Sequence, residues 1–199
     1  MNPDILNTPA YQYTEYLLVL NPHEELRNRI RNIKKEFFEA YRAPTGGKPH
    51  IMIARFVVWE MMEEKIINRL KVAAMGTPPF KVLLKDYGSF PSHTIFINVT
   101  TKIPIQNLVK DIRKSQRLMK SPDHDPFFIT EPFIPIARKL KVFQYEQGWL
   151  EYSHKSFTGK FIADGMLLLK RHVGEKGYQI VQRFQFMNLP VNVKQGEMF

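Results

Sequence analysis

Apolar and polar positions along this chain follow two rhythms that succeed one another twice. Glu15–Pro22, EYLLVLNP, is a short apolar run closed by Asn-Pro and predicts a strand. In the stretch that follows, Leu26, Ile30, Ile33, Phe37 and Tyr41 recur at spacings of three and four, which predicts an amphipathic helix. Pro22 suits its first turn, and Glu24 and Glu25 place acid at its positive end. A loop rich in Gly and Pro leads to a second strand, PHIMIARFVV. A second helix, Glu60–Met75, has Met62, Ile66 and Leu70 on one face. A third strand, Phe80–Phe90, is closed by Gly88 and Pro91.

The order then returns. His93–Val99 predicts a strand, and Ile103–Met119 a helix with Pro104 in its first turn and Ile105, Leu108, Ile112 and Leu118 apolar. Ser121–Pro126 is a loop, Pro132–Lys139 a strand, and Leu140–Lys155 a helix. Phe157–His172 supplies one strand or two, and Tyr178–Phe186 a last one. The best-preserved piece of the repeat is a string of eight residues. PHIMIARF, from Pro49, is answered 83 residues later by PFIPIARK, from Pro132, with five positions identical. That period is too long for a solenoid and suits a duplicated lobe. The expected unit is one bilobal domain over 1–199, with lobe one at about 15–90 and lobe two at about 93–187.

Composition changes this picture little, and charge more. The 199 residues are 44% hydrophobic and 24% charged, ordinary for a globular protein. There is no cysteine, which excludes disulfides and any thiolate nucleophile or metal site. The N-terminus does not read as a signal peptide and no apolar run approaches a membrane span, so a cytoplasmic protein without membrane contact is expected. Lys and Arg outnumber Asp and Glu by 29 to 19, a surplus that attracts polyanions where it is clustered. The basic stretch Arg27–Lys35 reads as a solvated helix face, with a phosphate-tracking patch as the alternative.

Strand alternation sorts the repeated string into two faces. His50, Met52, Ala54 and Phe56 share one, and Ile51, Ile53 and Arg55 the other. In the second copy Phe133, Pro135 and Ala137 oppose Ile134, Ile136 and Arg138. Arg55 and Arg138 are thereby expected to point away from His50 and to serve structure, or phosphate if sheet twist returns their tips to a cleft. Pro135 removes a backbone donor and predicts an edge or irregular strand. His93 is a weak candidate partner for His50, because Thr94 follows it directly and the two side chains should diverge. Asp123, His124 and Asp125 read as a turn before they read as a metal site. Gly46 and Gly47 lack the spacing of a nucleotide loop.

PHIMIARF resembles the His-x-Thr strand of the 2H phosphoesterase superfamily, especially its LigT-like 2′-5′ RNA ligase branch. FIPIARKL is similar to the second such strand, with its histidine and threonine replaced. GSFPSHTIFINV is similar to the connection between lobes, and the segment from Gly159 to Phe186 to the closing strands. The resemblance runs from about Tyr16 to about Phe186. It implies an α+β fold: two pseudo-symmetric lobes, antiparallel sheets around a central cleft, and helices outside. It also implies two His-x-Thr pairs, the histidines as acid and base and the threonines as phosphate holders. Here only His50 matches as a catalytic residue. Met52, Phe133 and Pro135 occupy the other three stations and, with Arg55 and Arg138, are the candidate binding residues. No metal and no cofactor is implied. The expectation is a degenerate site with weak or lost cyclic phosphodiesterase activity. The alternative is a binder of nucleotide or RNA in the same basic cleft. Oligomeric state is not legible.

Overall fold

The computed structural model describes residues 12–190. Most of the N-terminal stretch read for a signal peptide lies outside the described residues, as do the two ends of the expected 1–199 domain. The element order is β1 (Tyr13–Leu20), α1 (Glu24–Tyr41), β2 (Ile51–Trp59), α2 (Glu63–Gly76), β3 (Phe80–Phe90), β4 (Thr94–Val99) and α3 (Ile103–Arg113). There follow β5 (Phe127–Phe128), β6 (Phe133–Arg138), α4 (Val142–Tyr152), β7 (Thr158–Ala163), β8 (Gly165–His172) and β9 (Gln179–Gln185). Single 3₁₀ turns precede α2 and follow α3. Among the described residues no helix is long and apolar enough to cross a membrane.

Small differences at the helix ends have local causes. Pro22 falls outside α1, because His23 is its cap: the imidazole Nδ1 accepts the Leu26 N–H at 3.3 Å. The helix ends at Arg42, which adopts a left-handed backbone (φ 50°) and donates its N–H to the Phe38 carbonyl. The inward face of α1 is Leu26, Ile30, Lys34 and Phe37, so a lysine takes a position in the apolar stripe.

Among the described residues, nine strands form two antiparallel sheets, ordered β5-β2-β1-β8-β9 and β6-β4-β3-β7. The α+β fold with antiparallel sheets and outer helices is as the resemblance implies. Sheet membership, however, does not divide the chain near residue 90. β3 pairs with β4 and β7, while β8 and β9 lie beside β1. The reason is the tight connection between β3 and β4, where the His93 N–H returns to the Phe90 carbonyl. Neighbouring strands joined by so short a turn pair with each other rather than with distant elements. The helices exchange as well. α1 and α4 pack on the β6-β4-β3-β7 sheet, and α2 and α3 on the other.

Each sheet therefore repeats one plan: the strand carrying the repeated string, then the first strand of its half, then a returning strand, then an edge. β6 is the outer strand of its sheet, consistent with Pro135. The apolar core lies between each sheet and its helices. Ile51, Ile53, Ala54, Ile134, Ile136 and Ala137 are all fully buried in it. The opposite faces of the sheets carry the cleft.

Candidate functional site

The two copies of the repeated string share a register defect as well as a sequence. Along β1 and β2, Leu18 pairs with Ala54 and Val19 with Met52, so Ile53 is an extra residue. Along β4 and β6, Ile95 pairs with Ala137 and Phe96 with Pro135, so Ile136 is an extra residue. These are two β-bulges, 83 residues apart. A bulge breaks strict alternation and re-aims every side chain beyond it. Burial follows the same course in both strands. Ile51, Ile53 and Ala54 are buried and Arg55 exposed, as Ile134, Ile136 and Ala137 are buried and Arg138 exposed.

This corrects the expected facing of the arginines. Simple alternation puts Arg55 and Arg138 away from His50 and puts Ala54 and Ala137 with it. The bulges reverse both assignments. Arg55 and Arg138 share the cleft face with His50, Met52, Phe133 and Pro135, and the alanines turn into the core. The electrostatics agree, since Arg138 stands close enough to disfavour charge on His50 and is itself disfavoured by Arg55.

His50 lies just before β2. Burial first, then the charges of Lys34 and Arg138, push its pKa down to about 4, and a hydrogen bond to the Lys48 backbone opposes them in part. The ring is neutral at pH 7. A ring N–H given to the Lys48 carbonyl leaves the other nitrogen as an acceptor. Lys34 is only 5% exposed. Its ammonium donates to the Gly47 carbonyl at 2.6 Å, and burial and Arg138 lower its pKa to about 8. Arg138 has its pKa lowered by burial and by Arg55, yet remains charged at neutral pH. Among the described residues, the charged neighbours that shift His50, Lys34 and Arg138 are all cations. Glu15, on β1, is held by Arg171 at 2.7 Å and by the Tyr178 hydroxyl at 2.9 Å.

Lys34 is the residue of this cluster not anticipated individually, although it lies inside the basic stretch Arg27–Lys35. Its signal is a lysine at the i+4 position of the Leu26–Ile30 stripe. Of the other basic residues in that stretch, Arg29, Arg31 and Lys35 lie toward solvent, while Arg27 is half-buried. Arg29 reaches the Thr158 carbonyl and the Phe157 ring, Arg31 caps Asn28, and Lys35 faces Glu39.

Across from His50, the β6 station is aromatic. Phe133 packs on Phe96 at 4.8 Å between ring centroids and on Phe90 at 5.2 Å, and Phe90 lies 4.7 Å from Phe96. The Arg138 guanidinium stands over the Phe133 ring at 5.5 Å. Gly88 makes room for this cluster, because a Cβ there would come within 2.6 Å of both Phe96 and the Asn98 side chain.

The other histidines are elsewhere. His93 precedes β4, and its Nδ1 lies 2.6 Å from Thr94 Oγ1, so the two side chains meet instead of diverging. The residue sits in the turn, where strand alternation has not begun. His124 closes a turn with Ser121 and rests against Tyr13. Ser121 in turn bonds the Val57 carbonyl, about 20 Å along β2 from His50 at the usual strand rise. Asp125 pairs with Lys120 at 2.8 Å. Gly46 and Gly47 lie in the loop ahead of His50, where the Gly47 carbonyl receives Lys34.

Several solved structures share this shape at low sequence identity. Escherichia coli LigT complexed with 3′-AMP aligns with TM-score 0.65 and 14% identity, covering 88% of this chain and 98% of that one. The corresponding LigT structure with phosphate gives 0.62 and 13%, over 88% and 98%. Usb1 of Kluyveromyces marxianus gives 0.51 and 10%, over 86% and 97%. No curated protein matches the sequence significantly. The family model described as the 2′-5′ RNA ligase superfamily matches residues 22–175, more than three quarters of the chain. On that match, joined to a fold shared with LigT, the chain belongs to the 2′-5′ RNA ligase superfamily.

Proposed function

We propose that this protein is a 2H phosphoesterase-type protein that takes a phosphate ester in its central cleft and has weak or lost cyclic phosphodiesterase activity. One observation carries the reading: Lys34 and Arg138 stand beside neutral His50, and Arg55 beside Arg138, so that like charges gather at the strand that follows His50. Like charges gathered in one place repel, and a bound phosphate supplies the opposing charge. The solved LigT structures with 3′-AMP, phosphate and ATP support an anionic ligand of this kind.

Turnover needs a second proton carrier and groups that hold the equatorial oxygens. Each acid or base contributes typically about 10²–10⁴-fold. Neutral His50 can accept a proton from an attacking hydroxyl or water. Phe133 cannot protonate a leaving oxygen, and neither Met52 nor Pro135 offers a hydroxyl to phosphate. Hydrolysis of a 2′,3′-cyclic nucleotide is therefore expected close to background. Robust turnover abolished by His50→Ala would overturn the reading.

The second reading, binding of nucleotide or RNA without turnover, draws on the same cations. Its affinity should fall steeply with salt, because each neutralised phosphate releases counter-ions. Inorganic phosphate and a short single-stranded RNA, each titrated at two ionic strengths, test it. Absence of binding at low salt, or indifference to salt, would remove the anion site altogether.

A further inference from the structure

The helix side of the β5-β2-β1-β8-β9 sheet, away from the cleft, carries a groove that the phosphate reading does not use. It lies between α2 and α3, is closed by residues 188–190, and has a volume of about 700 Å³. The closing segment is fixed to the end of α2. The Asn188 N–H donates to the Thr77 carbonyl at 3.1 Å and the Leu189 N–H to the Met75 carbonyl at 2.8 Å. Val72, Ala73, Leu189 and Pro190 give the groove an apolar lining. Val72 is 42% exposed and Leu189 44%, and Met75 and Met187 stand exposed beside them. Single exposed apolar residues are ordinary, but four at one helix end form a patch, the usual mark of an interaction surface.

The rim of the groove is cationic. Arg69 and Lys114 border it, and Lys114 pairs with Asp111 at 2.6 Å. Lys65 stands one turn before Arg69 on α2. Neither side chain has an ion pair or hydrogen bond among the described residues. Like charges at i, i+4 repel, and a carboxylate set between them relieves the repulsion. We propose that this groove docks a short acidic segment of a partner protein. An apolar side chain of the segment rests on Val72 and Leu189, and its carboxylates meet Lys65 and Arg69. The surface is separate from the cleft and stands whether or not the cleft takes a phosphate.

The occupant follows from the two chemistries together. A nucleic acid would satisfy the cations, but the lining offers no aromatic ring on which a base could stack. A second copy of this chain, docked on the same face by a two-fold, would set one cationic rim against another. An uncharged apolar peptide would fill the groove and leave Lys65 and Arg69 unmet. An acidic segment with an apolar anchor answers both. The buried anchor supplies affinity, and the opposite charges steer the encounter and fix its register.

Three acetylated, amidated hexapeptides separate charge from anchor: Glu-Glu-Leu-Leu-Glu-Glu, Gln-Gln-Leu-Leu-Gln-Gln and Glu-Glu-Ser-Ser-Glu-Glu. Each is titrated into the full-length protein at low salt. The first should bind about tenfold more tightly than either of the others, and its affinity should fall as salt rises. Arg69→Glu and Val72→Asp, both at exposed positions, should each weaken it about tenfold. Lys176→Glu, the same charge reversal in the β8–β9 turn outside the groove, should change it by less than about twofold. Thermal unfolding identifies a variant that has lost its fold, and the result is then read from the other. Failure of the first peptide to bind, equal binding of the serine peptide, or an equal loss in Lys176→Glu would each overturn the docking groove. Three further results would overturn it by giving the surface another occupant. Tighter peptide binding after removal of residues 191–199 would assign the chain's own tail. A dimer in sedimentation that Val72→Asp dissociates would assign a second copy. Single-stranded RNA whose affinity falls in Arg69→Glu while that of the peptide does not would assign a nucleic acid.

Discussion

The β2 and β6 strands are alike on one face and different on the other. Toward the helices they present Ile, Ile and Ala at matched positions, all fully buried, and both carry a bulge at the second isoleucine. Toward the cleft, His50 and Met52 face Phe133 and Pro135, and only the arginines agree. The helix-side face is constrained by close packing, where a change of one methylene is felt. The cleft face has no such constraint and answers to whatever the cleft holds. The arginines belong to both descriptions, since each follows its bulge and each reaches the cleft because of it.

Undoing the chemical difference tests the comparison most severely. The triple variant Met52→Thr, Phe133→His, Pro135→Thr gives both strands the His-x-Thr pattern. If the backbones are equivalent, hydrolysis of a 2′,3′-cyclic nucleotide should rise by about 10²–10⁴-fold over the natural chain. A folded variant with no gain would mean that the β6 station is displaced from the position catalysis requires.

Undoing the shared part should cost stability in both halves alike. Ile53→Ala and Ile136→Ala each empty a fully buried bulge position and should cost about 2–5 kcal/mol in urea unfolding. A loss confined to Ile53→Ala would show that the second bulge is not held by packing as the first is.

Much of the fold is legible in the sequence because periodicity and burial coincide. The helical stripes, the strand order and the offset of 83 all describe packing faces, and packing is what apolar spacing encodes. Pro135 likewise announces an outer strand, since its missing N–H can be tolerated there. The site is less legible. Nothing in PHIMIARF marks Ile53 as a bulge, because the bulge is a property of pairing with Leu18 and Val19 on another strand. Without it, alternation sends Arg55 and Arg138 to the wrong face. Strand exchange between the halves is similarly a matter of pairing partners. Lys34 is hidden among nine residues rich in charge, where only its place in the Leu26–Ile30–Phe37 stripe sets it apart from Lys35.

The aromatic station has its own point of failure. A methyl group on Gly88 would collide with the Phe96 ring and the Asn98 side chain. Gly88→Ala should cost about 1–3 kcal/mol by forcing the ring from β3. The β2 strand, which has no such ring to displace, should be spared. Retention of full stability would mean that Phe96 moves freely to make room.

The smallest expected effect comes from making the stations alike in the opposite sense, with His50→Phe. The folded-state pKa of His50 is about 4 against an ordinary 6.5. Between those values the unfolded chain binds more protons than the folded one, so stability rises with pH across the window and is lost as pH falls through it. The ring is only partly buried, and solvent screening limits the loss to about 1 kcal/mol. Urea unfolding at pH 6.5 and at pH 4, compared between the natural chain and His50→Phe, isolates this contribution from the carboxylates that titrate nearby in pH. The variant should lose less stability than the natural chain over that interval. An equal loss in both would mean that His50 is not held neutral by Lys34, Arg138 and burial, and the cation cluster at the centre of the β2 station would then have to be drawn without it.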